Sequence, residues 1–337
     1  MTGTITWMTG FNRNIPLNSV DYSGAITRDT EYYRTGTASL KLYTWNEPAY
    51  WVRHQIAGSP DNPSIAIAIN PHDYFSYNVE NFPKIYLRRD IDTYFELRWN
   101  FDTHTMDLYI DDALAQAGGI EVSQNDWFHL QWKIDPDGDK IYVKIDGHVS
   151  IDYDYTEAYT FDYCYLVGGK YALLDTYECY FDDWCIGYGD YFGDVRIESL
   201  TPEADDTVQW DRSAGTTNYE NVDETPQSDT DYNYTRVDAE YDKMDVTDFV
   251  TPDPVTGIAK QVIAVMPWVR AKVDVATGEY IKVGVDSAST IDTTTHALAY
   301  SYEIYEHIMQ INPADSAAWE DADIDALLLY YEAALGA

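Results

Sequence analysis

Carboxylates are the residues best placed to do chemistry in this chain, with 58 Asp and Glu against 21 Lys and Arg. They cluster as Asp90, Asp92 and Glu96; Asp135, Asp137 and Asp139; Asp152 and Asp154; and Asp182 and Asp183. Such clusters can collect the oxygens calcium takes, or divide into the acid and nucleophile of glycoside hydrolysis. Asp135, Asp137 and Asp139 alternate across a turn and are the candidate calcium ligands. Pro136 and the lack of a closing glutamate depart from the helix-loop-helix calcium loop, and a plain charged hairpin is the competing reading. Most of the other carboxylates are expected on solvated faces.

The remaining reactive types are scattered. None of His54, His72, His104, His129, His148, His296 and His307 adjoins a Ser or Cys in a nucleophile pattern. His129 reads as a strand residue beside a core Trp127. Cys164, Cys179 and Cys185 lack metal-type spacing and read as buried free thiols. Gly168-Gly169-Lys170 lacks the upstream glycine and the following Ser or Thr of a phosphate loop. Aromatic rings stack on sugars while carboxylates bond sugar hydroxyls, and the chain has 31 Tyr and 10 Trp for that purpose. Tyr153, Tyr155, Tyr159, Tyr163 and Tyr165 recur at near-even spacing, as a ladder on one sheet face would; core or subunit-interface packing is the competing use.

Strands must position these groups. A chain of 337 residues with 45% apolar and 15% aromatic residues has ample core for two domains and is no disordered acidic tail. A formal charge of −37 without a basic run excludes a nucleic-acid reader. The start has no signal-peptide pattern and no stretch is long and apolar enough to insert in a membrane, so a soluble protein made in a cytoplasm is expected. From residue 1 to about 190, apolar residues alternate with polar ones in runs of four to eight, the period of half-buried strands. Residues 94–99 and 105–110 predict one hairpin. Residues 127–135 and 140–147 predict a second, with Asp146-Gly147 ending its last strand as a type I′ turn.

Residues 200–233 are polar and turn-rich and predict an acidic connection, with Trp210 and Tyr219 tethering it to a domain surface. Strands are expected again over 257–273, where Pro267 implies an edge or bulge, and over 280–285 and 297–311. Asp315 or Ser316 is expected to cap a short helix through Trp319, Ile324 and Leu327, before a closing strand over 328–334.

Asp126-Trp127-Phe128-His129, then a strand, a turn and Ile141-Tyr-Val-Lys-Ile-Asp-Gly147, resembles the laminin-G-like, concanavalin-type jelly rolls. Gly36-Thr-Ala-Ser-Leu-Lys-Leu42 is similar to that family's early strand, and Tyr180-Phe-Asp-Asp-Trp-Cys-Ile-Gly187 to its late one. Further on, Gly193-Asp-Val-Arg-Ile-Glu198, Trp210, Gly215-Thr-Thr-Asn-Tyr219, Val222-Asp-Glu224, Asn312-Pro313, Trp319 and Asp323-Ile-Asp-Ala-Leu327 look like the carboxy-terminal module of tailed-phage virion proteins. The resemblance implies an all-β chain: a concanavalin-like jelly-roll sandwich over residues 1–191, then a smaller β-rich module over 192–337 with one short helix near its end.

It also implies a non-enzymatic structural component of a virus particle, either capsid decoration or tail-associated. Such a protein would be assembled in the host cytoplasm and be homo-oligomeric among other virion proteins. Concanavalin-type folds commonly carry calcium, which would fall to Asp135, Asp137 and Asp139; no other cofactor is expected. Glycan-cleaving members of that superfamily carry Glu-x-Asp-x-Glu on one strand. Asp90-Ile-Asp92 and Asp152-Tyr-Asp154 lack the flanking glutamates, so catalysis is not expected. The alternative function is a carbohydrate-binding adhesin that recognises host surface glycans, with or without calcium.

Overall fold

The computed structural model describes residues 3–11, 20–23, 26–35, 38–44, 51–56, 58, 60–72, 83–89, 93–157, 160–168, 177–224, 228–250, 261–274 and 278–335. The chain divides into two compact units, Met1–Glu198 and Ser199–Ala337.

Alternation makes the strands of the first unit two-faced. In β12 (Lys140–Ile145), Ile141, Val143 and Ile145 are buried while Lys140, Tyr142 and Lys144 turn outward. Two antiparallel sheets result. The first runs β13 (His148–Asp154), β12, β11 (Phe128–Asp135), β6 (Pro63–Asn70), β15 (Tyr177–Tyr188), β4 (Ser39–Thr44) and β3 (Ile26–Asp29), with β1 (Thr4–Thr9) also paired to β15. The second runs β10 (Ala113–Gln116), β9 (Thr105–Ile110), β8 (Thr93–Asn100), β7 (Lys84–Arg89), β14 (Tyr163–Val167), β5 (Trp51–Gln55) and β2 (Val20–Ser23). Between them lies one apolar layer, which includes Ile65, Ile67, Leu130, Trp132 and Val143 from the first sheet and Ile85, Leu87, Phe95, Leu97 and Leu166 from the second. At roughly 1.5–3 kcal/mol for each fully buried large side chain, this layer is the main source of the unit's stability. Unit one is thus a sandwich of two antiparallel sheets, in the expected all-β class. Both hairpins form, β8 with β9 and β11 with β12. Asp146 (φ 47°) and Gly147 (φ 81°) make the primed turn into β13.

The second unit is smaller and also β. Its main sheet runs β16 (Pro202–Thr207), β19 (Tyr241–Val246), β24 (Leu328–Leu335), β21 (Glu279–Ser287) and β22 (Thr290–Ala297). Two short ribbons pair β17 (Asp211–Arg212) with β18 (Asn233–Tyr234), and β20 (Trp268–Ala271) with β23 (Glu303–Glu306). Residues 200–233 are therefore no mere connection, since β16 is an integral strand of this sheet. Trp210 packs edge-on against Tyr331 at 5.0 Å and donates its indole N–H to the Glu240 carbonyl. The helix α1 (Asp321–Asp325) is capped by Glu320, not by Asp315 or Ser316, because Glu320 and Asp323 form a reciprocal capping box. A single strand over 297–311 is not observed; β22 and β23 take parts of that region. Residues 257–260 of the strand expected over 257–273 lie outside the described residues.

Phe192–Glu198, read from the sequence as the start of the second domain, is held to the first sheet of unit one. The Val195 N–H donates to His129 Nε2, the Gly193 N–H to Gln131 Oε1 and the Ile197 N–H to Asp183 Oδ1.

Candidate functional site

Residues paired across neighbouring strands share a sheet face, so register shows what the second sheet of unit one presents outward. Arg53 of β5 pairs with Tyr165 of β14, Tyr165 with Tyr86 of β7, Tyr86 with Glu96 of β8, and Glu96 with Tyr109 of β9. Five adjacent strands thus lay one row across the face away from the core. At about 4.8 Å between strands the row spans about 19 Å. A parallel row holds Trp51, Val167, Lys84, Arg98 and Asp107, and a third holds Gln55, Tyr163 and Arg88. The row forms because β7 and β8 alternate strictly: Ile85, Leu87, Phe95 and Leu97 are buried in the core, which forces Lys84, Tyr86, Arg88, Glu96 and Arg98 to the other side.

These outward side chains shield one another. Tyr165 meets Tyr86 with ring centroids 5.0 Å apart, Trp51 at 5.6 Å and Tyr163 at 6.2 Å. The Arg53 guanidinium lies 4.5 Å from the Tyr163 ring centre and donates to the Tyr165 hydroxyl at 3.0 Å. Arg98 lies 4.0 Å from the Tyr109 ring centre, donates to the Glu96 carboxylate and also pairs with Asp112. Lys84 approaches the same Glu96 at 3.9 Å. Although desolvation opposes it, the bonds to Glu96 and Asp112 raise the Arg98 guanidinium above its ordinary value. The Asp107 carboxylate accepts from Asn100 Nδ2 (2.7 Å), Thr105 Oγ1 (2.7 Å) and the Gly118 N–H (2.9 Å). Tyr165, Glu96 and Asp107 are buried beneath this shielding, which leaves the half-buried Trp51, Tyr86 and Tyr163 rings, which can stack on a sugar, and the Arg53 and Arg98 guanidinium forks, which can bond its hydroxyls.

The residues singled out from sequence are placed differently. Asp135, Asp137 and Asp139 do not converge: among the described residues no group of three His, Cys, Asp or Glu side chains is arranged to hold a metal ion. Asp135 instead accepts the Gly138 N–H at 3.1 Å and pairs with Lys133 at 3.3 Å. Asp137 is exposed, and Asp139 is in the left-handed region (φ 52°), donating its N–H back to Pro136 O. The three lie at the charged turn between β11 and β12. Asp152 and Asp154 share Lys140 on an exposed surface. Asp90, Asp92 and Tyr159 lie outside the described residues, while Glu96 joins the row.

Asp182 and Asp183 are buried, not solvated. Asp182 accepts the N–H groups of Arg34, Thr35 and Asp183; Asp183 accepts from Arg34, Thr35 Oγ1 and the Ile197 N–H. Trp127 is only half-buried, and Phe128 takes the core position beside it. Of the tyrosine series, Tyr165 is buried within the apolar cluster, and Tyr153, Tyr155 and Tyr163 pack half-buried against it; Tyr163 and Tyr165 share the register of the outer face. All three cysteines are free and buried. Sequence reading missed Arg53, Tyr86, Arg98 and Tyr109; the alternation in residues 84–88 and 94–98 held the signal for two of them.

No protein-family model and no curated protein matches the chain. Among solved structures it is similar to the carbohydrate-binding module CBM66 from Bacillus subtilis, with 9% identity and a TM-score of 0.36 over 51% of this chain and 97% of that one. It is also similar to domain 4 of a GH43 extracellular arabinanase from Geobacillus stearothermophilus in complex with arabinotriose, with 13% identity and a TM-score of 0.40 over 56% and 94%. A sialidase matches with 11% identity and a TM-score of 0.41 over 56% of this chain, which spans 19% of that protein.

Proposed function

We propose that unit one binds carbohydrate on the outer face of its second sheet and does not cleave it. The observation that carries this reading is the row Arg53, Tyr165, Tyr86, Glu96 and Tyr109, laid across five hydrogen-bonded strands. Rings and polar forks mounted on strands are ordered before a ligand arrives, so little side-chain entropy is lost on binding. Glu96 is buried and committed to Arg98 and Lys84, which leaves it ill-placed to protonate a leaving group. The donors and acceptors are side chains, so no bridging calcium is required.

The resemblance to virion proteins concerns where the chain works, whereas the geometry concerns what this face can hold. Adhesion, the alternative reading of the sequence, is therefore preferred to a purely structural role. Titration with an array of oligosaccharides tests it. Tyr86→Ala is expected to weaken binding about tenfold or more, the loss of roughly one stacked ring. Chelation is expected to leave affinity unchanged, and incubation with polysaccharides to leave chain length unchanged. Binding that survives Tyr86→Ala and Tyr165→Ala together would place the site elsewhere.

A further inference from the structure

The accessible rings of this face recur from strand to strand. Trp51 lies on β5, Tyr163 on β14, Tyr86 on β7 and Tyr109 on β9, each half-buried. Tyr165 is buried and floors the row, with the Trp51, Tyr86 and Tyr163 rings 5.6, 5.0 and 6.2 Å from it. Along β7 and β9, by contrast, the neighbouring outward positions are charged: Lys84 and Arg88 flank Tyr86, and Asp107 precedes Tyr109. A ligand that stacks on several of these rings must therefore run across the strands.

The row is also open. Its register continues to Asp21 on β2 and Leu114 on β10, the two edge strands of the sheet, and Leu114 is 55% exposed. Among the described residues no further strand closes the row at either end. A closed pocket engulfs a whole small ligand; an open row holds the middle of a long one. The charges of the face balance as well. Arg53, Lys84, Arg88 and Arg98 are matched by Asp21, Glu96 and Asp107 at register positions of the face and by Asp112 bound to Arg98. An uncharged ligand leaves that balance intact, while a polyanion meets the repulsion of a chain carrying −37.

We infer that this face takes an internal stretch of an uncharged linear glycan, about four sugar units long, laid across the strands from β5 to β9 over Trp51, Tyr163, Tyr86 and Tyr109. This rests on the glycan-binding reading and narrows it to a class of ligand. The length follows from the span of about 19 Å between those strands, each step of about 4.8 Å being close to the advance of one pyranose unit. The Arg53 guanidinium over the Tyr163 ring and the Arg98 guanidinium over the Tyr109 ring stand toward the two ends, where their N–H forks can bond hydroxyls.

The test is calorimetric titration of the full chain with cello-, xylo-, manno- and laminari-oligosaccharides of two, four, six and eight units, and with a hexamer of galacturonate. In the neutral series that binds, affinity is expected to rise at least about tenfold from dimer to tetramer, the gain of two stacked rings, and to change within about twofold from hexamer to octamer. Reducing the end unit of the octamer with borohydride should leave its affinity unchanged, because the terminal units lie off the row. Trp51→Ala and Tyr109→Ala, toward opposite ends, should each weaken the hexamer about fivefold. At least one of them should leave the dimer within about twofold, because a dimer cannot reach both ends. Thermal unfolding of each variant identifies any that fail to fold, and the length series needs no variant. A dimer bound as tightly as the hexamer, or hexagalacturonate bound more tightly than every neutral hexamer, would overturn the inference and leave the glycan-binding reading intact. No binding by any of these oligosaccharides would overturn both.

Discussion

His129 shows how burial turns a titratable residue into a structural one. Its Nε2 accepts the Val195 N–H at 3.3 Å, so the ring proton sits on Nδ1, which faces Asp194 at 3.8 Å. Burial, reinforced by the Arg34 charge, pushes the imidazole down to about 4, against about 6.5 in an unfolded chain. Between those values the unfolded state holds more protons, so this contribution is complete above about pH 6.5 and is lost as pH falls toward 4. One linked proton gives a slope of up to about 1.4 kcal/mol per pH unit. Asp182 and Asp183 act in the opposite sense. Burial raises both carboxyls, with Asp183 adding to the effect on Asp182, so the folded state takes up their protons first. His129→Gln keeps an acceptor for Val195 and cannot titrate, and it leaves the aspartates in place. Denaturant unfolding of parent and variant from about pH 4 to about pH 7 is expected to show a flatter slope in the variant. Equal slopes would remove His129 from the account.

Elements in both units depend on buried carboxylates that tie chain to chain. In β15 the backbone bulges at Asp182 and Asp183, where Asp183 adopts φ 52°, and the strand changes partner from β4 to β1 across this point. Polar residues sit there because the bulge frees donors from loop 32–35 and from segment 192–198, which the two carboxylates collect. In unit two, Asp242 on β19 does the same. Its carboxylate accepts the N–H groups of Gln209 and Trp210, the Asn218 amide and the Tyr331 hydroxyl, at 2.8–2.9 Å. Replacing it by Ala leaves four donors, two of them buried, without this acceptor, and a loss of about 3 kcal/mol is expected in equilibrium unfolding. Asp242→Asn, which retains one acceptor, is expected to lose less. If Asp242→Ala unfolded like the parent, the anchoring role would be wrong. Much of this level was legible in the sequence: alternation located β4, β8, β9, β11 and β12, and Asp146-Gly147 marked its turn. The bulge and the Asp242 anchor were not, because each joins residues far apart in the chain, and a lone aspartate looks the same whether solvated or enclosed.

The whole molecule carries a net charge of −37 on 337 residues. Compaction brings those charges together, so self-repulsion opposes folding and salt relieves it. The melting temperature is therefore expected to rise as sodium chloride is raised from about 0.02 to about 0.5 M, measured by calorimetry or circular dichroism. A melting temperature that fell over this range would mean that attractive ion pairs dominate.

Composition and alternation by themselves determined that this chain is all-β and which segments pair as local hairpins. These follow from the two-residue period of a strand, a property of neighbours in sequence. The outward row of the second sheet was decided only in the tertiary structure. Arg53, Tyr86, Glu96, Tyr109 and Tyr165 come from five strands, and strand order and register, set by long-range packing of the core, put them in one row. Asp135, Asp137 and Asp139, by contrast, are placed by a single hairpin between neighbouring strands, and among the described residues no group of three such side chains is arranged to hold a metal ion.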